Sequence, residues 1–201
     1  MAEVHFIGNI LEATDFSDES SLFARWTLNS GSCWRALEGY TQGQTQLATR
    51  SVKYKPSSID QASEGEENLA LRDEGKVICH SWSHPIDVHY ITKGLQGWPK
   101  LEFQVWDVNW LGKCNICAYG FMNLPAKPGY HDMICSTWRP VGNLRRRFID
   151  YLTGYRMHLV DPSDIVSNGL NRHLLQAISM GYIRVQLSVV LKDFEEHGVD
   201  I

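Results

Sequence analysis

The sequence contains no long hydrophobic run. None of its 201 residues lies in a stretch approaching the roughly 20 consecutive apolar residues that a membrane-spanning helix needs. The first eleven residues lack the charged, apolar and small-residue regions of a secretory signal. The five cysteines are an odd number in a chain large enough to fold without disulfides. We therefore predict an intracellular protein with reduced thiols.

Positive charge is not in excess either. The 19 Lys and Arg residues face 23 Asp and Glu residues, which gives a net charge of -4, whereas sequence-independent binding to nucleic acid uses a strong positive surplus. The sequence also has no G-x-S-x-G nucleophile elbow, no Gly-rich phosphate loop and no dinucleotide fingerprint. These absences argue against a nucleic-acid-binding protein and against an enzyme, and they point to no cofactor.

Metal-ligand patterns are incomplete. Cys114 and Cys117 form a C-x-x-C, but zinc takes four ligands and the chain has no second such pair. The stretch around them is typical of a strand, in which residues three apart point to opposite faces. His80, His84 and His89 have spacings that distribute their rings over two faces in the same way. We predict packing or surface hydrogen bonding for these side chains and no metal site.

Two acidic loops suggest calcium as an alternative. Asp15, Asp18 and Glu19 follow the first predicted strand, and Asp107 with Asn109 follows a later one. Calcium prefers several carboxylates among its six to eight oxygen ligands, whereas the second loop offers one carboxylate and one amide. Solvated turn residues are the preferred interpretation.

Alternation of apolar and polar residues with a period of two dominates the chain. It is clearest at residues 183–191 and recurs at 4–10, 22–28, 86–90 and 101–105. A helical pattern occurs only at residues 144–152, between Asn143 as a cap and Gly154 as a stop. The sequence thus predicts an all-β fold, an antiparallel β-sandwich of about eight strands with one short helix in a connection. A closed barrel is the alternative.

Residues 49–76 interrupt this pattern. Eleven of these 28 residues are charged, and residues 57–68 have almost no large apolar side chains. We predict that residues 1–201 form a single domain and that residues 49–76 are an exposed loop inserted in it.

Basic and aromatic residues supply the candidate contact sites. Arg145, Arg146 and Arg147 fan out over the predicted helix, and Arg139 precedes them. A solvated helix face is the default interpretation, and an anionic lipid head group or an acidic partner is the alternative. The middle of the chain is also rich in tryptophan, a favoured anchor of interfaces, and Trp110 is the candidate for insertion into a membrane interface.

Several ordered segments resemble the B9-domain family. They are residues 81–87 (SWSHPID), 93–99 (KGLQGWP), 103–106 (FQVW), 119–121 (YGF) and 137–140 (TWRP). The two ends of the chain fit the same family, so the resemblance covers nearly the whole sequence. It implies a C2-like β-sandwich with no catalytic residues.

The resemblance also implies a function. B9-domain proteins of this kind are non-enzymatic scaffolds on the cytoplasmic side of the cilium base, at the transition zone between basal body and axoneme. The expected partners are other B9-domain proteins, including the Meckel-syndrome type-one protein, in a Meckel-syndrome/tectonic-type complex. This complex supports cilium assembly and controls membrane-protein entry.

A second hypothesis is a peripheral lipid-binding module. In calcium-binding C2 domains an aspartate stands where this chain has Asn109, so any membrane docking is expected to be calcium-independent. In this hypothesis Trp110 inserts at the interface and residues 145–147 contact anionic lipid.

Overall fold

The computed structural model describes residues 1–16, 21–54, 76–109, 111–142, 158–159 and 175–194. Within these ranges the chain is all β, with no helix and therefore none that could cross a bilayer. The predicted helix at residues 144–152 lies outside the described residues.

Eleven strands occur in the described part of the chain. They are β1 (Ala2–Thr14), β2 (Ser21–Asn29), β3 (Trp34–Gly39), β4 (Gln42–Gln44), β5 (Ala48–Thr49), β6 (Ser51–Tyr54), β7 (Lys76–Thr92), β8 (Lys100–Val108), β9 (Cys114–Asn123), β10 (Gly129–Pro140) and β11 (Ala177–Lys192). The predicted number of about eight is too low, because β4, β5 and β6 have only two to four residues each. Strands this short carry too few apolar positions to show alternation.

The strands form one curled antiparallel sheet that folds into two layers. Its order is β3-β7-β1-β11-β10-β9-β8-β2-β4, and β5 and β6 pair with β2 and β7. At the turn between the layers, β10 and β9 share only two residue pairs, Thr137 with Gly120 and Trp138 with Tyr119. The strands on either side of this junction therefore pack face to face, as the predicted antiparallel sandwich requires.

The core lies between the two layers. Phe6 and Ile183 enter it from the first layer, and Trp26 and Phe103 enter it from the second. In β11 the buried residues alternate with partly or fully exposed ones, so the period-two prediction for this strand is confirmed. This pattern follows from a strand that is covered on one face only.

A smaller cluster covers part of the outer face of the second layer. Ile116 and Tyr119 of β9 pack there with Leu159, and the partly buried Trp106 and Trp138 lie against them. The backbone N–H of Leu159 donates to the Tyr119 hydroxyl at 2.9 Å, and burial raises the pKa of that hydroxyl. Both faces of β8 and β9 are therefore partly covered.

The charged segment at residues 49–76 begins with regular structure. Its first residues complete β5 and form β6, which pairs with β7 from Ser51–Cys79 to Tyr54–Lys76. Residues 55–75 lie outside the described residues, so the prediction of a loop there stays a prediction.

Candidate partner-binding surface

The outer face of the first layer carries apolar side chains that are exposed. We call it the Ile134 face; its apolar members are Ile7 on β1, Tyr130 and Ile134 on β10, and Tyr182 and Val190 on β11. Ile134 is 68% exposed and Tyr130 is 64% exposed. Exposed apolar groups on one face of a monomer are typical of an interaction surface.

Strand register places these side chains together. Ser188 of β11 pairs with Ile7 on one side and with Tyr130 on the other, and residues opposite each other in a sheet share a face. Ile134 lies four residues further along β10, on the same face and opposite Arg184. Ile134 and Arg184 also line an open groove of about 800 Å³ on the same face, together with Lys53 of β6.

The charges on the Ile134 face are paired with one another. At one end Glu3 accepts a hydrogen bond from Lys192 at 3.2 Å and lies 3.4 Å from the ring nitrogen of His89. These interactions, led by the hydrogen bond from Lys192, lower the pKa of Glu3. The ring of His89 stacks on that of His5, whose Nε2 lies 2.7 Å from an Asp87 oxygen. A partner that covers this end therefore meets charges that already have partners.

Arg184 and Asp132 form the central ion pair of the face. The guanidinium donates through two nitrogens to the two carboxylate oxygens, with an Nε–Oδ1 distance of 3.0 Å. The hydrogen bond from Arg184, assisted by one from Gln186, lowers the pKa of Asp132. Because the folded-state pKa lies below the unfolded value of about 3.9, this pair stabilises the fold above that pH. The contribution is lost as the pH falls through the folded-state pKa.

Replacing Arg184 with glutamine is expected to raise the pKa of Asp132 towards its ordinary value, because the main donor to the carboxylate is removed. NMR titration of the side-chain carboxyl carbon measures this pKa directly. Lys192→Gln is the matched control: it removes a cation from the same strand and face but one that pairs with Glu3. An Asp132 pKa that is the same in Arg184→Gln and the unmutated protein would contradict the assignment.

Among the described strands, none pairs with one edge of β10 beside the apolar residues. β10 pairs with β11 along its whole length but with β9 only at Thr137 and Trp138. In the part of the chain that the structure describes, the preceding residues of β10, which include Tyr130 and Ile134, have a strand on one side only. An unpaired strand edge next to exposed apolar side chains is a template for pairing with another chain.

The comparisons with known proteins agree with the fold. A family model described as "Ciliary basal body-associated, B9 protein" matches residues 4–190. The chain belongs to the B9-domain family. It is 40% identical over 200 residues to B9 domain-containing protein 2 of Bos taurus, covering 100% of this chain and 99% of the relative. The same protein of Drosophila melanogaster is 34% identical over 205 residues, with the same coverage.

A more distant relative belongs to the same family. B9 domain-containing protein 1 of Mus musculus is 22% identical over 191 residues, covering 94% of this chain and 82% of the relative. The family description concerns a ciliary protein and names no reaction. The resemblance to the B9-domain family that the sequence motifs indicate is confirmed.

The cysteines of this B9 domain do not form a reactive pair. Cys114 is exposed and Cys117 is buried, so the prediction that they point to opposite faces is confirmed. Burial raises the pKa of the Cys135 thiol to about 12, which keeps it protonated and a poor nucleophile near neutral pH. Among the described residues no three His, Cys, Asp or Glu side chains come close enough to hold a metal ion.

His80, His84 and His89 lie in separate environments in this B9 domain. His80 is fully buried. His84 packs on the indole of Trp26 with ring centroids 5.9 Å apart, and desolvation lowers its pKa. His89 lies on the Ile134 face beside His5.

The two loops considered for calcium have structural roles where they are described. The Asn109 side-chain oxygen accepts the backbone N–H groups of Leu111 and Lys113 at 3.1 and 2.9 Å, so it holds the β8–β9 turn. Asp107 is buried in β8, and the backbone N–H of Asp15 donates to the Ile78 carbonyl. Asp18 and Glu19 lie outside the described residues.

Most of the predicted contact residues lie outside the described part of the chain. These are Trp110, Arg145, Arg146 and Arg147. Arg139 is described: it is partly buried near the end of β10, opposite Ile178 of β11. A lipid-contact role for these side chains stays a prediction.

Sequence patterns did not single out the Ile134 face. Along β10 the apolar side chains of Met133 and Cys135 point inward and those of Tyr130 and Ile134 point outward. Apolar residues therefore occur on both faces of this strand, so no simple alternation marks one of them as a surface.

Proposed function

We propose that this B9 domain is a non-enzymatic scaffold subunit that binds other B9-domain proteins at the cytoplasmic side of the cilium base. There the complex supports cilium assembly and controls membrane-protein entry. The family description as a ciliary basal body-associated protein supports the location. The observation that carries the binding role is the Ile134 face with the β10 edge that no described strand covers.

The Ile134 face has the composition expected of a protein interface. Its apolar side chains supply area that a partner can bury, and its charges are paired within the sheet. A permanent complex usually buries more than about 2,000 Å² with an apolar centre. The four strands β7, β1, β11 and β10 offer a broad surface for such a contact.

A second B9-domain protein is a reasonable partner on physical grounds. Both chains would contribute a β-sandwich of the same family. A strand edge that no described strand covers, such as that of β10, can pair with a strand of the partner so that the two sheets become continuous. The similarity to B9 domain-containing protein 1 shows that the family contains more than one type of such domain.

Co-expression tests the proposal. We expect this chain and the B9 domain-containing protein 1 of the same organism to elute together, with the mass of a heteromer by light scattering. In ciliated cells the tagged protein is expected as a ring at the cilium base. Separate elution together with diffuse cytoplasmic signal would contradict the proposal, and liposome co-sedimentation would then test the lipid-binding alternative.

A further inference from the structure

A second groove lies on the outer face of the other layer. It has a volume of about 530 Å³ and is formed by neighbouring residues of β4, β2 and β8. Register arranges the outward side chains in two rows across the three strands. The rows are Gln44, Arg25 and Gln104, and Gln42, Thr27 and Glu102. We call this the Glu102 groove.

The carboxylate of Glu102 has an incomplete set of partners. The residue is 9% exposed, and its Oε1 atom is buried without a hydrogen-bond partner in the described structure. Leaving a buried polar atom unpaired is costly, more so for a carboxylate, and such atoms are rare in native proteins. A bound group that donates hydrogen bonds would remove this cost.

Arg25 is the one cation among the described residues that line the groove, and it is directed away from Glu102. The Nε of Arg25 donates to the Gln44 side-chain oxygen at 3.2 Å, and its guanidinium lies 5.0 Å from the centroid of the Trp106 ring. Along β2, Phe23 lies on one side of Arg25 and is the register partner of Trp106. Thr27 lies on the other side of Arg25 and is the register partner of Glu102. Arg25 is therefore engaged by Gln44 and Trp106 and does not neutralise the carboxylate of Glu102.

We infer that the Glu102 groove binds an arginine side chain presented by an extended segment of a partner protein. A guanidinium carries a positive charge and five N–H donors in a planar fork, which matches a carboxylate flanked by amide oxygens. Gln104 lies two residues from Glu102 on the same face of β8, and Gln42 lies in the row of Glu102 on the far side of Thr27; both line the groove and supply such oxygens. A divalent metal fits poorly, because the groove offers one carboxylate.

The rest of the groove suits a peptide backbone. Side-chain amides donate and accept hydrogen bonds in the manner of peptide groups, and the exposed Gln42 and Gln44 provide two of them at the edge strand β4. The Glu102 groove and the Ile134 face lie on different layers, so this inference does not depend on the proposed binding of another B9-domain protein.

NMR on the purified full chain tests the inference. The ¹⁵N-labelled protein is titrated with Nα-acetyl-arginine methylamide and, separately, with the citrulline analogue, which is nearly isosteric and neutral. We expect saturable shifts of the Thr27, Glu102 and Gln104 amide signals with the arginine compound only. The absence of saturable shifts, or equal shifts with citrulline, would overturn the inference.

Glu102→Gln is the decisive variant. It is expected to weaken arginine binding at least about tenfold, because the charge complementarity is lost, while the melting temperature stays the same or rises. Glu38→Gln makes the same change at an exposed site on β3 and should bind as the unmutated protein does. Gln42→Trp, at an exposed position, should block the groove and weaken binding independently. Unchanged binding in both groove variants would overturn the inference.

Discussion

Replacing Trp82 with alanine is expected to lower the free energy of unfolding by about 3–5 kcal/mol, as for other buried tryptophans. Trp82 is 1% exposed and lies in β7, at the centre of the core between the layers. Its indole Nε1 donates to the Leu22 carbonyl of β2 at 3.1 Å. β2 and β7 belong to different layers, so this side chain fills the core and also joins the two layers.

The backbone of Trp82 is also hydrogen-bonded to a neighbouring segment. Its carbonyl accepts a hydrogen bond from the Gln46 side chain, in the connection that leads from β4 to β5. The cavity left by alanine would therefore be lined by strands that are fixed in place, and a site that cannot collapse shows the higher costs. The free energy of unfolding of a typical domain is about 5–15 kcal/mol, so the Trp82→Ala loss is a large fraction of the stability.

Urea unfolding followed by circular dichroism measures the effect. Trp82→Phe is the matched control: it keeps an aromatic ring in the core and removes the donor to Leu22, with an expected cost of about 1–3 kcal/mol for the unpaired carbonyl and the lost volume. If the alanine variant were no less stable than the phenylalanine variant, Trp82 would not have the central packing role that its burial indicates.

The strands of the core were predictable because they are covered on one face. In β11 every second residue from Ile183 to Val189 is buried, and the alternation in the sequence reproduces this directly. The same reasoning assigns Leu101, Phe103 and Val105 correctly to the core face of β8, although the other face of this strand is also partly covered. Sequence alternation succeeds where a single interface decides which residues are apolar.

The same reasoning fails where both faces of a strand are covered. Phe23 falls on the polar face of β2 by alternation, yet it is buried and stacks on Trp106 with ring centroids 6.2 Å apart. Trp106 in turn lies against the smaller cluster around Tyr119. The packing of this smaller outer cluster depends on contacts between strands that are distant in sequence.

The Glu102 groove shows a further limit. Alternation places Glu102 on the outer face of β8, the face away from the core, where a solvated carboxylate is expected. Its burial and its row with Gln42 and Thr27 depend on the register of three strands. Register between β2 and β4 is set by hydrogen bonds and turn geometry, which a single sequence does not display.

Changing Ile134 to aspartate is expected to weaken binding of the B9-domain partner by about thirtyfold or more, the effect of losing an interface hot spot of about 2 kcal/mol. Ile134 is 68% exposed, so its replacement removes exposed apolar surface from the free protein and no core contact. In the proposed complex the new carboxylate would be buried against an apolar surface, which is costly without a partner cation. The stability of the isolated chain should fall by about 1 kcal/mol, the range that strand propensities span in a host protein.

Surface plasmon resonance with the immobilised partner measures the affinity, and urea unfolding of the same preparations verifies the fold. Leu111→Asp is the matched control, because Leu111 is also 68% exposed but lies in the β8–β9 turn, away from the Ile134 face. A loss of affinity confined to Ile134→Asp would support the Ile134 face as the contact. If Leu111→Asp alone weakened binding, the partner would instead contact the end of the sandwich that carries this turn. The β10 edge would then be free for a different strand.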